Sequence, residues 1–328
     1  MTLTETTPAL PKGIYTPSPT FFVSKTDPSY SVFNPPIDFE TQLKHTLYLA
    51  KNGINGVVLL GSTGEAVHIT RPERNQLLSY IRKGLDAEGY TDFTIIAGTG
   101  TNSTVETVDL LVDAKECGVE YGLVLAPSYF ASAVTQQGII AWYNEVANAS
   151  PIPIMVYYYP GVSNNIYIAP KTFEILSAHP NIVGTKLSHG NISHHILLAQ
   201  NPVIKANNFH VFTGLGQQLL PILNIGAHGA IDALSGIFPK SVVYLFNLSL
   251  TGKISEAQKV QYTVSAAEEV VADLGTVGVK EGVARILGWG DKDGARLPLM
   301  GGLDGGDVTW TTKYQDAFED IAKLEATL

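Results

Sequence analysis

The chain has 328 residues, a net charge of −9, 45% hydrophobic residues and 16% charged ones, which is ample for a large buried core. With no Lys/Arg-rich run this acidic balance argues against a nucleic-acid partner, and apolar stretches such as "GVVLLG" are too short to cross a bilayer. The single cysteine, Cys117, excludes an internal disulfide framework or thiolate metal cluster and points to a reducing compartment, read here as the cytoplasm.

The opening residues "MTLTETTPALPKG" lack the basic start and apolar core of a signal peptide. Residues 1–12 are expected to form a flexible tail, being rich in Thr and Pro with little to bury. The sequons at Asn102, Asn148, Asn191 and Asn247 are read as chance. From Gly13 onward, short apolar segments recur: "GIYTPSP", "NGVVLL", "FTIIAG", "YGLVLA", "IPIMVY", "NIVGTK", "FHVFTG" and "HGAIDA". Between them lie stretches with helical spacing, such as "RPERNQLLSYIRKGL", "NSTVETVDLLVDAKECG" and "TQQGIIAWYNEVANA". "TRPE", Thr70 to Glu73, places an N-cap, a proline and a capping glutamate at one helix start.

Eight strands alternating with helices predict a (β/α)8 TIM barrel over residues 13–252. A doubly wound open sheet is the structural alternative, but no Gly-rich dinucleotide fingerprint follows the first strand. Residues 253–328 read as helical throughout apart from a Gly-rich break, a small appendage packed on or beside the barrel.

In such a barrel, reactive side chains stand at the C-terminal strand ends. Those ends read "GSTGE", "GTGTN", "APSYF", "YYYPGVSNN", Lys186 and "TGLGQQ". In "GSTGE", Ser62 and Thr63 can cradle a carboxylate, because glycines let backbone amides approach a small anion. The same glycines, Gly61 and Gly64, can equally be mere turn residues. "GVVLLGST" fails as a phosphate loop, since Ser62 stands where the lysine belongs. Lys186 is either a rim charge that snorkels to solvent or an amine desolvated enough to attack a ketone. Tyr157 and Tyr159 share one strand face and Tyr158 takes the other; an inward phenol beside Lys186 can relay protons or simply pack. His189 reads as a solvent-facing loop residue, and His68, His194, His195 and His228 show no metal-ligand spacing. No metal and no cofactor are expected.

Taken together, "NGVVLLGSTGEAVHIT", "IIAGTGTNST", "LVLAPSYF", "VYYYPGVS", "IVGTK" and "ARLPL" resemble, in order and interval, the dihydrodipicolinate synthase / N-acetylneuraminate lyase superfamily of pyruvate-dependent class I aldolases. The resemblance runs from about Gly13 to Pro298. It implies that Lys186 is the Schiff-base lysine, that Tyr157 shuttles protons, and that Ser62 and Thr63 bind the pyruvate carboxylate. It further implies that Tyr129 enters a neighbouring subunit's site, that Gly214 and Ile231 line the site through their backbone, and that the protein is a homotetramer built as a dimer of dimers.

Departures from the family pattern narrow the substrate. The synthases' substrate-binding arginine is replaced by Val162, the sialic acid lyases' acidic pair by Gly216 and Gln217, and their serine by Ala233. The expected activity is therefore cleavage of a 2-oxo-3-deoxy acid, such as 2-keto-3-deoxy-L-galactonate, to pyruvate and an aldehyde. Ser188 and Asp232 are candidates for binding its hydroxyls, Asp232 being equally readable as a structural acid. The alternatives are 4-hydroxy-2-oxoglutarate cleavage, a synthase-type condensation, or a non-catalytic pyruvate-binding barrel.

Overall fold

Each apolar segment picked out above becomes a strand in the computed structural model, which describes residues 8–328. The strands are β1 (Gly13–Pro17), β2 (Gly56–Leu59), β3 (Thr94–Thr99), β4 (Tyr121–Leu125), β5 (Ile154–Tyr158), β6 (Ile182–Leu187), β7 (His210–Thr213) and β8 (Gly229–Ile231). They run parallel and close in sequence order, with β8 pairing back onto β1. The crossovers are α1 (Phe39–Lys51), α2 (Arg71–Ala87), α3 (Thr104–Glu116), α4 (Gln136–Ala149), α5 (Pro170–Leu176), α6 (Ile192–Ala199), α7 (Pro202–Ala206) and α8 (Leu219–Asn224), with α9 (Pro239–Leu250) after β8. The predicted cap of α2 forms, the Thr70 N–H donating to Glu73 at 3.0 Å.

Period-two alternation sorts the strand residues. One set, including Ile14, Val57, Ile95, Val124 and Val156, packs outward against the helices. The other, Tyr15, Val58, Ile96, Leu123, Met155, Val183, Phe212 and Ile231, fills the barrel interior. Strand β6 breaks the rule. Its register with β5 slips, Ile154 facing Ile182 and Met155 facing Gly184, so Val183 is an extra residue. Without this bulge, a lysine three positions after the inward Val183 would point out of the barrel; the bulge resets the phase and sets Lys186 beside Tyr157.

Two expectations need correction. Residues 1–7 of the expected flexible tail lie outside the described residues, but Pro8–Lys12 plug the bottom of the barrel. Leu10 is fully buried, and its carbonyl accepts from His210 Nδ1 at 2.7 Å. The Tyr15 hydroxyl donates to the Pro11 carbonyl at 2.9 Å.

The expected C-terminal helical appendage is present and packs on the barrel, but it is not helical throughout. After α10 (Ile254–Leu274) and α11 (Thr276–Leu287) the chain is irregular up to α12 (Gly306–Thr309). Within that stretch Gly288, Gly290, Gly301, Gly302 and Gly305 all take positive φ, a backbone shape no helix continues through. A π-helical turn (Trp310–Tyr314) then leads into α13 (Gln315–Thr327).

This region roofs the barrel mouth. Thr276 donates to the Thr63 carbonyl, and Lys280 pairs with the buried Glu65. Arg296 spans Glu73 at 2.5 Å, the Pro35 carbonyl at 2.7 Å and the His68 carbonyl at 2.8 Å. That arginine sits in the "ARLPL" motif, and its ion pair holds the Glu73 carboxyl down at about 2.

Arg296→Met is therefore expected to cost about 2–4 kcal/mol, less than a fully buried pair because Glu73 is partly exposed. Glu73's share of that stability exists above the ordinary carboxyl value of 4.5 and is lost as pH falls towards about 2. Urea melts of both proteins at neutral and acid pH check this: the gap must narrow on acidification.

Candidate active site

The barrel mouth holds a cavity of about 480 Å³. Its floor and walls bring together Ser62, Thr63, Tyr157, Lys186, Ser188 and Gly214 from the ends of β2, β5, β6 and β7, under a roof formed by Val271, Thr276 and Leu299.

Lys186 is buried, with Nζ 4.6 Å from the centre of the Tyr157 ring. Burial lowers its amine from 10.5 to about 7, a fall limited by the nearby Asp232 carboxylate. At neutral pH a large fraction is thus the free amine, the nucleophilic form. Tyr157 is buried too, and desolvation pushes its phenol up to about 12, with the Ser62 and Ser188 hydroxyls pulling the other way. Its hydroxyl shares a 2.9 Å hydrogen bond with Ser62. As a neutral phenol it can donate a proton and take one back.

Gly214 makes room for the lysine. A Cβ there would overlap Ser188 Oγ and lie 3.0 Å from Lys186 Cε. Tyr158 points the other way, edge-on to His189 with ring centres 5.0 Å apart. That corrects the expectation for His189. It is half-buried, stacked on His194 at 5.1 Å, and lowered to about 3 by burial and the neighbouring imidazoles.

The "GSTGE" turn is framed by Leu60 and Glu65, both at positive φ (59° and 53°), where non-glycine residues are strained. Among the described residues no acceptor takes the N–H of Ser62 or Thr63, which leaves both amides free beside their hydroxyls, as a carboxylate cradle requires. Gly64 is the turn residue: a Cβ there would sit 2.9 Å from the Leu60 nitrogen.

Three expected site residues fall elsewhere. Tyr129 is 77% exposed and paired edge-on with Phe130, so within one chain it does not reach Lys186. Ile231 lies below the cavity in the barrel packing, and Ala233, two residues on, lines the wall instead. Asp232 is fully buried behind that wall.

Sequence reasoning missed Glu268. It projects from α10 into the cavity wall beside Asp232 and is 1% exposed. A signal existed: Glu268 lies on the apolar stripe Ala257, Val260, Val264, Ala267 of α10, where an acid has no reason to sit unless it is used.

A closed barrel whose C-terminal mouth gathers a buried lysine lowered to about 7, a phenol hydrogen-bonded to a serine hydroxyl and two free backbone amides is the kind of site in which an amine can form an imine with a carbonyl compound. Comparison agrees. The model of the Dihydrodipicolinate synthetase family matches residues 33–306. A relative from Emericella nidulans, named "Probable 4-hydroxy-2-oxoglutarate aldolase, mitochondrial", is 38% identical over 85% of this chain and 87% of its own. The "L-threo-3-deoxy-hexylosonate aldolase" of Aspergillus niger is 33% identical over 87% and 88%. The solved 4-hydroxy-tetrahydrodipicolinate synthase of Methylacidiphilum fumariolicum superposes with a TM-score of 0.83 at 27% identity, covering 96% of this chain and 98% of that one. The chain belongs to the dihydrodipicolinate synthetase family, and with it to the pyruvate-dependent class I lyases.

Imine formation needs the free amine, so the rate of borohydride trapping is expected to rise with pH through about 7; a profile rising only near 10 would contradict it. Burying this lysine also destabilises the fold. The penalty is full below about 7 and disappears as pH climbs towards 10.5. Lys186→Met is thus expected to abolish trapping and raise stability at neutral pH by a few kcal/mol, roughly 2–4, with the gain fading near pH 10 in denaturant melts.

Proposed function

We propose that this protein cleaves a 2-oxo-3-deoxy sugar acid, such as 2-keto-3-deoxy-L-galactonate, reversibly to pyruvate and an aldehyde. The observation that carries this reading is the Lys186 amine, buried against the Tyr157 ring and lowered to about 7. Ser62 and Thr63 take the substrate carboxylate and set its C2 carbonyl before Lys186. Nζ attacks C2 to give a carbinolamine, Tyr157 protonates the departing hydroxyl, and water leaves an iminium. Loss of the C4 hydroxyl proton to the Tyr157–Ser62 relay breaks the C3–C4 bond, and its electron pair passes to the iminium to form an enamine while the aldehyde departs. Protonation at C3 and hydrolysis then return pyruvate and the free lysine. Covalent catalysis replaces one hard carbanion step with easier ones, and the cradle fixes orientation.

Support for a sugar acid over the synthase substrate comes from the wall. Val162 stands where the synthases carry arginine, and Lys186 is the only cation lining the cavity among the described residues. The names of the relatives divide between a deoxy-hexylosonate and 4-hydroxy-2-oxoglutarate, and the second substrate is the competing reading. We also read the exposed Tyr129–Phe130 pair as a subunit contact in a homotetramer made from two dimers. The working setting is carbohydrate-acid catabolism in the cytoplasm; import of the full-length chain into isolated mitochondria would overturn that location.

The decisive experiment is borohydride reduction in the presence of pyruvate, with peptide mass mapping. An adduct on Lys186 is expected, and folded protein without one would sink the mechanism. Pyruvate release is expected to be fastest with 2-keto-3-deoxy hexonates in a panel that includes 4-hydroxy-2-oxoglutarate and sialic acid.

Mass measurement in solution tests the assembly. Tyr129→Ala is expected to lower kcat at least about tenfold if the ring enters a neighbour's site.

A further inference from the structure

Two carboxyl groups from different parts of the fold meet beside Gly216. Asp232 follows β8 and Glu268 comes from the middle of α10; they are 0% and 1% exposed. The Gly216 N–H donates to Asp232 Oδ1 at 3.1 Å and to Glu268 Oε1 at 3.0 Å. The contact depends on the glycine, because a Cβ would overlap Glu268 Oε2 and lie 3.1 Å from Asp232 Oδ1. Asp232 is further held by the Ser235 N–H at 3.1 Å.

Glu268 Oε2 is buried with no hydrogen-bond partner, and Glu268 lines the same cavity as Lys186 and Ser188. Two adjacent buried carboxyls cannot both ionise, so the pair holds one proton and one negative charge. Burial and the neighbouring Asp232 raise Glu268 well above the ordinary carboxyl range, which places the shared proton there.

At the wall only the Glu268 carboxyl faces the cavity, and when protonated it can both donate to and accept from a hydroxyl. With Asp232 behind it, this wall disfavours a second carboxylate, and among the described residues no arginine lines the cavity to offset that. Gly214, packed against Lys186 Cε, and Gly216, packed against Glu268, are two residues apart, at most about 7 Å of chain. Both side chains line one cavity, so a chain bonded at C2 to Lys186 extends along a wall that carries Glu268. We propose that Glu268, backed by the buried Asp232, forms the subsite for the far end of the substrate, selecting a neutral hydroxylated chain and rejecting a second carboxylate. This rests on the aldolase reading above and decides between its two candidate substrates.

The test reads the ratio of kcat/KM for 2-keto-3-deoxy-L-galactonate over 4-hydroxy-2-oxoglutarate in wild type, Glu268→Gln and the double variant Asp232→Asn/Glu268→Gln. Wild type is expected to favour the hexonate. Glu268→Gln should keep that preference within about threefold, since an amide imitates the protonated carboxyl, and the double variant should move the ratio about tenfold or more towards the dicarboxylate, a shift of about 1.4 kcal/mol. Equal ratios in wild type and double variant, or a parallel loss on both substrates, overturn the subsite.

Wild type alone gives a second readout should the double variant not fold. In condensation with pyruvate, L-glyceraldehyde is expected to be used about tenfold better than the anionic glyoxylate, and the reverse order refutes the proposal. Borohydride trapping in the same samples separates the two levels. Protein that traps pyruvate but turns over neither substrate refutes the substrate reading and the subsite with it. Hexonate cleavage with an unmoved ratio refutes the subsite alone.

Discussion

A lysine amine kept out of water is the constraint around which the rest of this structure is arranged. Lowering it from 10.5 to about 7 corresponds to almost 5 kcal/mol of disfavoured charge at 1.36 kcal/mol per unit, a large fraction of the roughly 5–15 kcal/mol by which a domain is stable. Only a scaffold with strength to spare can hold it there. The filled interior of Tyr15, Met155, Phe212 and their neighbours lies beneath the lysine, and the roof of α10, α11 and Leu299 covers it. Within that shell the side chain is aimed by two local features, the extra residue Val183 in β6 and the missing side chain at Gly214. The first turns the amine inward and the second gives it room.

How much of this could be read from the sequence follows from the range over which each feature is encoded. The eight strands were legible because hydrophobic periodicity is local, and their closure followed from strand number and the βα rhythm. The sorting of Tyr157 and Tyr159 from Tyr158 was legible for the same reason. Lys186 itself was ambiguous until neighbouring strand ends were considered together, since a lysine ending an apolar strand commonly snorkels. The bulge at Val183 has no sequence signature, because it exists only in the pairing of β6 with β5.

What the sequence hid is mostly long-range. Leu10 looked like part of a polar tail, yet it is fully buried at the bottom of a barrel that closes far along the chain. His189 looked exposed because its aromatic partners, Tyr158 and His194, lie on other elements. Tyr129 was legible only as a motif match, and a single chain leaves it on the surface. That the C-terminal appendage roofs the mouth has no local signature, because its anchors, Thr276 to Thr63, Lys280 to Glu65 and Arg296 to Glu73, join segments more than two hundred residues apart.

Those anchors bear on how chemistry and substrate choice divide over the fold. Lys186 and Tyr157 come from adjacent barrel strands whose register fixes them against one another, and Ser62 and Thr63 from the turn that follows β2. Glu268 comes from α10, and it meets Asp232 only while the helix lies across the mouth. Withdrawing α10 would separate the carboxyls and admit the water that keeps an amine protonated. One helix thus both covers Lys186 and carries the acid on the cavity's far wall, so its inner face shapes the surroundings of the far end while Lys186 and Tyr157 stay on the barrel strands.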